Sequence, residues 1–227
     1  DRVRISQALE AVINREIISE PLDSLVLLGG LSARELHLIK ALSGYFFQIL
    51  KSYGRLMHQR TLTSYPEFVR TLIEYFQARL GAASDEEAAR MKIESELQKC
   101  RTSLDESILR MYARIVGAIV RTNYFQNHPE IAFKIKTPEL LSPPCPLVEI
   151  YIYAYDLEGV HLRGGMIARG GIRWSDRPDD FRTEIFDLMR AQMVKNTIIV
   201  PEGSKGGFVL KNRVFRDRNE WLEAGKA

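Results

Sequence analysis

From about residue 30 to residue 127, apolar positions recur at the three-and-four spacing that gives a helix one apolar stripe. Ser32 with Glu35 makes a capping box, and Leu36, Ile39, Leu42, Phe46, Ile49, Leu50 and Tyr53 carry the stripe that follows until Gly54. A second helix is expected to start with Pro66 in its first turn, where a missing N–H costs nothing, and to bury Val69, Leu72, Ile73, Phe76 and Leu80. Two further boxes, Ser84 with Glu87 and Ser103 with Glu106, predict helices ending near Lys99 and Tyr124.

After Asn127 the period changes. Residues 131–137 and 147–155 alternate or run apolar at strand length, with a proline cluster between them. Beyond lie a glycine-rich stretch at 164–171, an amphipathic helix from about Asp179 to Lys195, an apolar strand at 197–201 and a second glycine turn at 203–207. Strand, helix and strand with glycines at the joints give an α/β layout whose loops can bring backbone amides close to a ligand. The reading is therefore α+β or α/β with a mixed sheet: a helical region over 1–128, and a second region over 129–227. No internal repeat or low-complexity tract interrupts either part.

Composition narrows the function classes. A chain of 227 residues with 45% hydrophobic residues can bury a sizeable core. The 32 Lys+Arg against 29 Asp+Glu leave a formal charge of only +3, spread along the chain, so nothing favours a nucleic-acid partner. Cys100 and Cys145 are far apart and lack CxxC spacing, which points to a reducing compartment, and the cytoplasm is the expected location. The first residues mix charges into every turn, unlike a secretory signal, and no apolar run approaches the roughly 20 residues of a membrane span. The sequence opens without Met and closes on Ala-Gly-Lys-Ala after an apparent new helix, so it is expected to be an excerpt of something longer.

Four features could carry chemistry: Arg169 to Arg173 with Gly170 and Gly171 inside, the acidic stretch Asp176 to Asp180, Lys195 closing a helix, and Lys205 between Gly203 and Gly206-Gly207. A lysine at a helix C-terminus ordinarily complements the macrodipole. Lys205 is harder to explain that way, because a lysine flanked by glycines has little local apolar surface to lie on and can project into a cleft. The 203–207 segment is not a Walker A loop, which needs Gly before the Lys and Ser or Thr after it. No GxGxxG follows a strand, so no dinucleotide pyrophosphate is cradled here. His37, His58, His128 and His161 show no metal-ligand spacing and are read as structural; no metal is expected. Asp179 and Asp180 fall at a helix start and are read as caps or dipole partners.

Residues 159–211 together, with their Arg-Gly-Gly-Ile-Arg, Gln-Met-Val-Lys-Asn and Pro-Glu-Gly-Ser-Lys-Gly-Gly segments, closely resemble the signature of the large bacterial NAD-dependent glutamate dehydrogenases. The resemblance extends in weaker form through 29–50, 102–126 and 133–154. It implies that 129–227 is the first, substrate-binding part of the catalytic domain and that 1–128 is a helical region preceding it. The superfamily lines its substrate pocket with three lysines. Two map onto Lys195 and Lys205, while the first maps onto Arg169, which keeps the charge but replaces an ammonium with a planar fork. The segment between the second and third of these runs two residues shorter than in the small enzymes.

The resemblance further implies that Lys205 is the catalytic lysine, that Lys195 holds the α-carboxylate of L-glutamate or 2-oxoglutarate, and that Arg169 with the Gly170 and Gly171 amides addresses the γ-carboxylate. Clustered cations suit a dicarboxylate and depress one another's pKa, and a lysine brought from about 10.4 toward roughly 7 to 8 can act as a base. NAD and the proton-shuttling aspartate are expected to belong to sequence beyond residue 227, the fragment alone is expected to be inactive, and the full-length protein is expected to be a homo-oligomer. The competing readings are a non-catalytic helical interaction or regulatory module and a phosphate binder using 203–207.

Overall fold

The computed structural model describes residues 2–81, 85–166, 168, 170–196, 202–211 and 218–224. Its first half is helical: α1 (Arg2–Ile13), α2 (Leu25–Leu28), α3 (Ala33–Ile49), α4 (Arg55–Ser64), α5 (Pro66–Leu80), α6 (Glu86–Leu97) and α7 (Ser103–Ala118). The Ser32–Glu35 box is formed, with the Glu35 carboxylate accepting the Ser32 N–H at 2.8 Å. The stripe predicted to reach Gly54 ends as a helix at Ile49. A short 3-10 turn at Lys51–Tyr53 follows, and Gly54 breaks the path with φ of 62°. Pro66 opens α5, which buries Val69, Leu72, Ile73 and Phe76 and leaves Leu80 half-buried.

Two caps differ from expectation. Ser84 lies outside the described residues, and Asp85 caps α6 by accepting the Ala88 N–H at 3.1 Å. Thr102, not Ser103, caps α7: its hydroxyl oxygen accepts the Asp105 N–H at 3.0 Å. Nor does α7 reach Tyr124. It stops at Ala118 because the β-branched run after it becomes β1 (Ile119–Thr122), paired with the next strand.

The remaining elements are β2 (Ile131–Ile135), β3 (Val148–Tyr153), β4 (Leu157–Arg163), β5 (Ile172–Trp174), α8 (Phe181–Asn196), β6 (Ser204–Leu210) and α9 (Arg218–Ala224). The strand expected at 197–201 lies outside the described residues. The sheet is mixed, in the order β1-β2-β3-β4-β6-β5; all neighbours are antiparallel except β5 and β6, which run parallel with α8 between them in the chain. A helical region followed by a mixed sheet with its own helices is the α+β class that the periodicity predicts.

Strand register decides which side chains share a face. Glu149, Tyr151 and Tyr153 of β3 stand opposite Leu162, Val160 and Glu158 of β4, and those opposite Lys205, Gly207 and Val209 of β6. This face carries helices: Tyr151 packs on Tyr45 of α3 with ring centroids 5.2 Å apart, and a Cβ on Gly207 would lie 2.2 Å from Ile185 of α8. The segment read as a glycine turn at 203–207 is thus mostly strand. Its glycines are there because α8 and β5 press against the backbone, which is the usual meaning of glycine inside a strand. One apolar core joins the two halves, running from Leu36, Phe46 and Tyr112 through Phe133 and Tyr151 to Phe181 and Ile185.

Candidate active site

A parallel pair separated by one helix requires the helix to run back against the strands, so the C-terminal end of α8 lies over the starts of β5 and β6. The contacts bear this out. Gly203, just before β6, has no room for a side chain because a Cβ would fall 2.8 Å from Met193 Cγ of α8. One helical position earlier, the Gln192 side-chain oxygen accepts the Ser204 N–H at 3.1 Å. Gly170, just before β5, has φ of 119°, and a Cβ there would lie 2.1 Å from the Ser204 carbonyl oxygen and 3.6 Å from Gln192 Oε1. Gln192 therefore sits where the Gly170 segment, the last turn of α8 and the first residue of β6 come together.

Four of the five residues singled out from the sequence fall at this end of the sheet. Gly170 and Gly171 lead into β5, and the Gly171 carbonyl accepts the Gly206 N–H at 3.2 Å. Lys205 is the second residue of β6, half-buried opposite Leu162. Lys195 is exposed in the last turn of α8. Neither lysine has a hydrogen bond or ion pair among the described residues, so both ammonium groups are available to an incoming anion. Arg169 lies outside the described residues.

Several neighbours were not anticipated. His161 on β4 faces Gly206, with Nε2 3.4 Å from the Ser204 hydroxyl and Nδ1 accepting from Arg163 Nε at 3.4 Å. Burial, and then the Arg163 charge, pull the His161 pKa down. Glu184, one turn into α8, pairs with Arg173 of β5 and accepts the Ser175 hydroxyl at 2.7 Å. The sequence held a usable signal for Gln192, which precedes Lys195 by three positions and so shares its helix face. It held none for Glu184, whose partners lie across a loop.

Deeper, under β3, Arg182 of α8 makes a two-pronged pair with Glu149, both contacts at 2.7 Å, and Tyr45 donates to the same carboxylate at 3.2 Å. Burial alone would lower the Arg182 pKa, but the Glu149 charge and hydrogen bonds outweigh it and hold the guanidinium above its usual value. The acidic pair read as caps or dipole partners stands just before α8, where the Asp180 carbonyl accepts the Glu184 N–H at 3.0 Å, and its side chains also tie the halves together: Asp180 pairs with Lys51, and Asp179 lies 3.8 Å from Arg55. Lys51 lowers the Asp180 pKa.

The described residues show no fit for a dinucleotide. The glycines at 206 and 207 are ladder residues engaged with both β4 and β5, not a loop of bare amides opening a helix. A surface hollow of about 410 Å³ between α1, α3 and residues 127–129, lined by Ile17, Arg34, His37 and His128, holds neither lysine. No group of three His, Cys, Asp or Glu that could bind a metal occurs among the described residues, and none of their helices is long and apolar enough to cross a membrane.

Comparison with known proteins identifies the family. Residues 92–227 match the family described as bacterial NAD-glutamate dehydrogenase, catalytic domain, and residues 18–82 match glutamate dehydrogenase, helical motif 3. The NAD-specific glutamate dehydrogenase of Halomonas elongata is 37% identical over 218 residues, covering 90% of this chain and 14% of that protein. The enzyme of the same name from Mycobacterium tuberculosis is 37% identical over 224 residues, with 92% and 14% covered, and that of Pseudomonas aeruginosa is 35% identical over 222 residues, with 90% and 14% covered. The chain thus spans 14% of the length of each of these relatives.

Proposed function

Since this chain belongs to the family of bacterial NAD-glutamate dehydrogenases, we propose that residues 129–227 are the substrate side of an active site that converts L-glutamate to 2-oxoglutarate and ammonia. The observation that carries this reading is the convergence, around Gln192, of the Gly170-Gly171 segment, the helix end bearing Lys195 and the strand bearing Lys205. Two lysines without an ion-pair partner among the described residues, at one end of a sheet, are suited to a dicarboxylate.

In this scheme Lys195 takes the α-carboxylate, and the Gly170 and Gly171 amides with Arg169 take the γ-carboxylate. NAD, which would be bound elsewhere in the full-length enzyme, would supply the hydride acceptor for the α-carbon, so that the residues here have an electron-poor carbon–nitrogen bond to hydrate. Lys205, acting as the neutral amine after it has released its own proton to solvent, removes a proton from water as the water oxygen adds to the carbon–nitrogen double bond, and the resulting carbinolamine transfers its hydroxyl proton to nitrogen and expels ammonia. Holding the substrate by both ends, with the reacting carbon beside Lys205, supplies orientation that free lysine in solution lacks. The largely helical region before residue 129 leads into this substrate side, its last strand β1 already joining the sheet, and contacts between copies in a homo-oligomer are assigned to its helices.

The test is NADH production by the full-length enzyme, wild type beside Lys205→Ala, with L-glutamate binding measured in parallel. Loss of turnover with glutamate binding largely kept supports the reading. Unchanged turnover removes Lys205 from the chemistry. The 227-residue chain assayed alone with L-glutamate and NAD is expected to be silent, because it lacks a dinucleotide site among its described residues.

A further inference from the structure

β5 is the weakest element of the sheet. It is three residues long and, among the described residues, lies at the edge of the sheet and pairs with β6 alone. Ile172 at its start is 75% exposed. Backbone bonding alone gives so short an edge strand little hold, yet the Gly170-Gly171 segment hangs directly from it. What ties it down is a set of side-chain contacts at its far end. The Glu184 carboxylate pairs with Arg173 Nε through one oxygen and accepts the Ser175 hydroxyl at 2.7 Å through the other. The same hydroxyl oxygen accepts the Arg177 N–H at 3.2 Å, the Ser175 N–H donates to the Phe208 carbonyl at 2.9 Å, and Trp174 stacks on Phe208 with rings 6.0 Å apart. Ser175 is 3% exposed, so its bond to Glu184 is sheltered from water.

We propose that Glu184 is a positioning residue for the γ-carboxylate subsite: it braces β5 against α8, so that the Gly170-Gly171 amides and the helix end bearing Lys195 are held at a fixed separation. This rests on the substrate reading above. Glu184 lies at the opposite end of α8 from Lys195 and does not touch substrate. Its effect passes through β5, and it therefore selects for the distal carboxylate rather than for the reacting amine. The brace has a charged arm to Arg173, which is 57% exposed at its side chain, and a sheltered neutral arm to Ser175. Glu184→Gln keeps an acceptor for Ser175 and removes the charge facing Arg173, whereas Glu184→Ala removes both.

The experiment compares kcat/KM of the full-length enzyme for L-glutamate and for L-norvaline, which has the same chain length without the distal carboxylate. The ratio of the two is independent of how much of the enzyme is folded. Glu184→Ala is expected to lower that ratio by about tenfold or more, mainly through KM for glutamate, with KM for NAD unchanged and Glu184→Gln intermediate. An equal loss for both substrates would make Glu184 merely structural and overturn the inference. Should Glu184→Ala fail to fold, Arg173→Gln at the exposed partner tests the charged arm, and an unchanged ratio there overturns the inference equally. Lys205→Ala in the same series separates the two levels: full turnover in that variant rejects the substrate reading itself, whereas lost turnover with an unchanged Glu184→Ala ratio rejects only the brace.

Discussion

Arg182 and Glu149 meet inside the protein with both contacts at 2.7 Å, the carboxylate fully buried and the guanidinium side chain 9% exposed. The pair joins α8 to β3, and Tyr45 joins α3 to the same carboxylate, so the helix that carries Lys195 in its last turn is fastened to the helical half as well as to the sheet. A pair this dry is costly to break from one side, because the survivor keeps its desolvation penalty without its partner.

Arg182→Met should therefore destabilise the fold by about 3–5 kcal/mol in urea unfolding, since it strands Glu149. The double variant Arg182→Met with Glu149→Leu should lose much less, because no charge is left behind. A single-variant loss near zero would mean that water reaches the pair in solution.

Acid should act through two histidines. His58 stacks on Phe46 with centroids 4.7 Å apart and shares a 2.7 Å hydrogen bond with Tyr112, and His37 packs edge-on to Tyr153 at 5.6 Å. Burial first, then nearby cations including Arg55 at His58 and Arg34 at His37, lowers both pKa values from 6.5 to about 4. A depressed folded-state pKa means the unfolded chain binds protons first as the solution is acidified. The stability these rings contribute is present above about pH 6.5 and is lost as the pH falls toward 4, by roughly 3 kcal/mol apiece once both states are protonated. His58→Gln and His37→Gln should each flatten the stability profile across that window and leave its alkaline side unchanged; a profile as steep as wild type would remove the ring in question from the acid response.

Helices with long apolar periods were legible in the sequence. The Ser32 box, the Pro66 start and α8 stand where their residues say, because cap chemistry and a three-and-four stripe are local properties. Less legible were segments whose state depends on partners distant in the chain. Ile119 to Thr122 continues an apolar stripe yet becomes strand, because β2 is there to pair with it. Residues 204–207 have turn-like composition yet lie in β6, since Gly207 is small for the sake of Ile185 rather than for a bend. At the site, the family resemblance pointed to Gly170, Gly171, Lys195 and Lys205, and the fold brings their segments together. Gln192 could have been found from its place three positions before Lys195 on the same helix face, whereas Glu184 emerges only once α8 is laid on the sheet.

The two adjacent glycines should respond oppositely to the same methyl group. At Gly170 a Cβ would meet the Ser204 carbonyl oxygen at 2.1 Å, on a backbone whose φ of 119° disfavours any L side chain, so both the contact and the conformation resist. At Gly171 a Cβ would meet nothing within 4 Å among the described residues. Gly170→Ala is expected to cost on the order of 2–3 kcal/mol or more and to free β5 from β6, detectable as faster amide exchange at Gly206. Gly171→Ala should unfold within about 0.5 kcal/mol of wild type. Equal costs at the two positions would contradict this backbone path.

Gln192 offers the sharpest separation of geometry from charge. Its side-chain oxygen accepts the Ser204 N–H at 3.1 Å, and its amide nitrogen plays no part in that bond. Gln192→Glu keeps the acceptor, and Gln192→Leu keeps the volume but leaves the buried Ser204 N–H without its side-chain partner. The loss should cost about 1–3 kcal/mol in Gln192→Leu and much less in Gln192→Glu. Activity should divide differently. In Gln192→Glu a carboxylate enters an end of the sheet that otherwise presents Lys195 and Lys205, so an anionic substrate should bind more weakly, and the penalty should shrink as added salt screens it. In Gln192→Leu the last turn of α8 is released from β6, and the loss should be insensitive to salt. Measuring KM for L-glutamate from about 0.05 to 0.5 M salt in both variants checks this. A salt-insensitive penalty in Gln192→Glu would mean that substrate does not approach this end of the sheet.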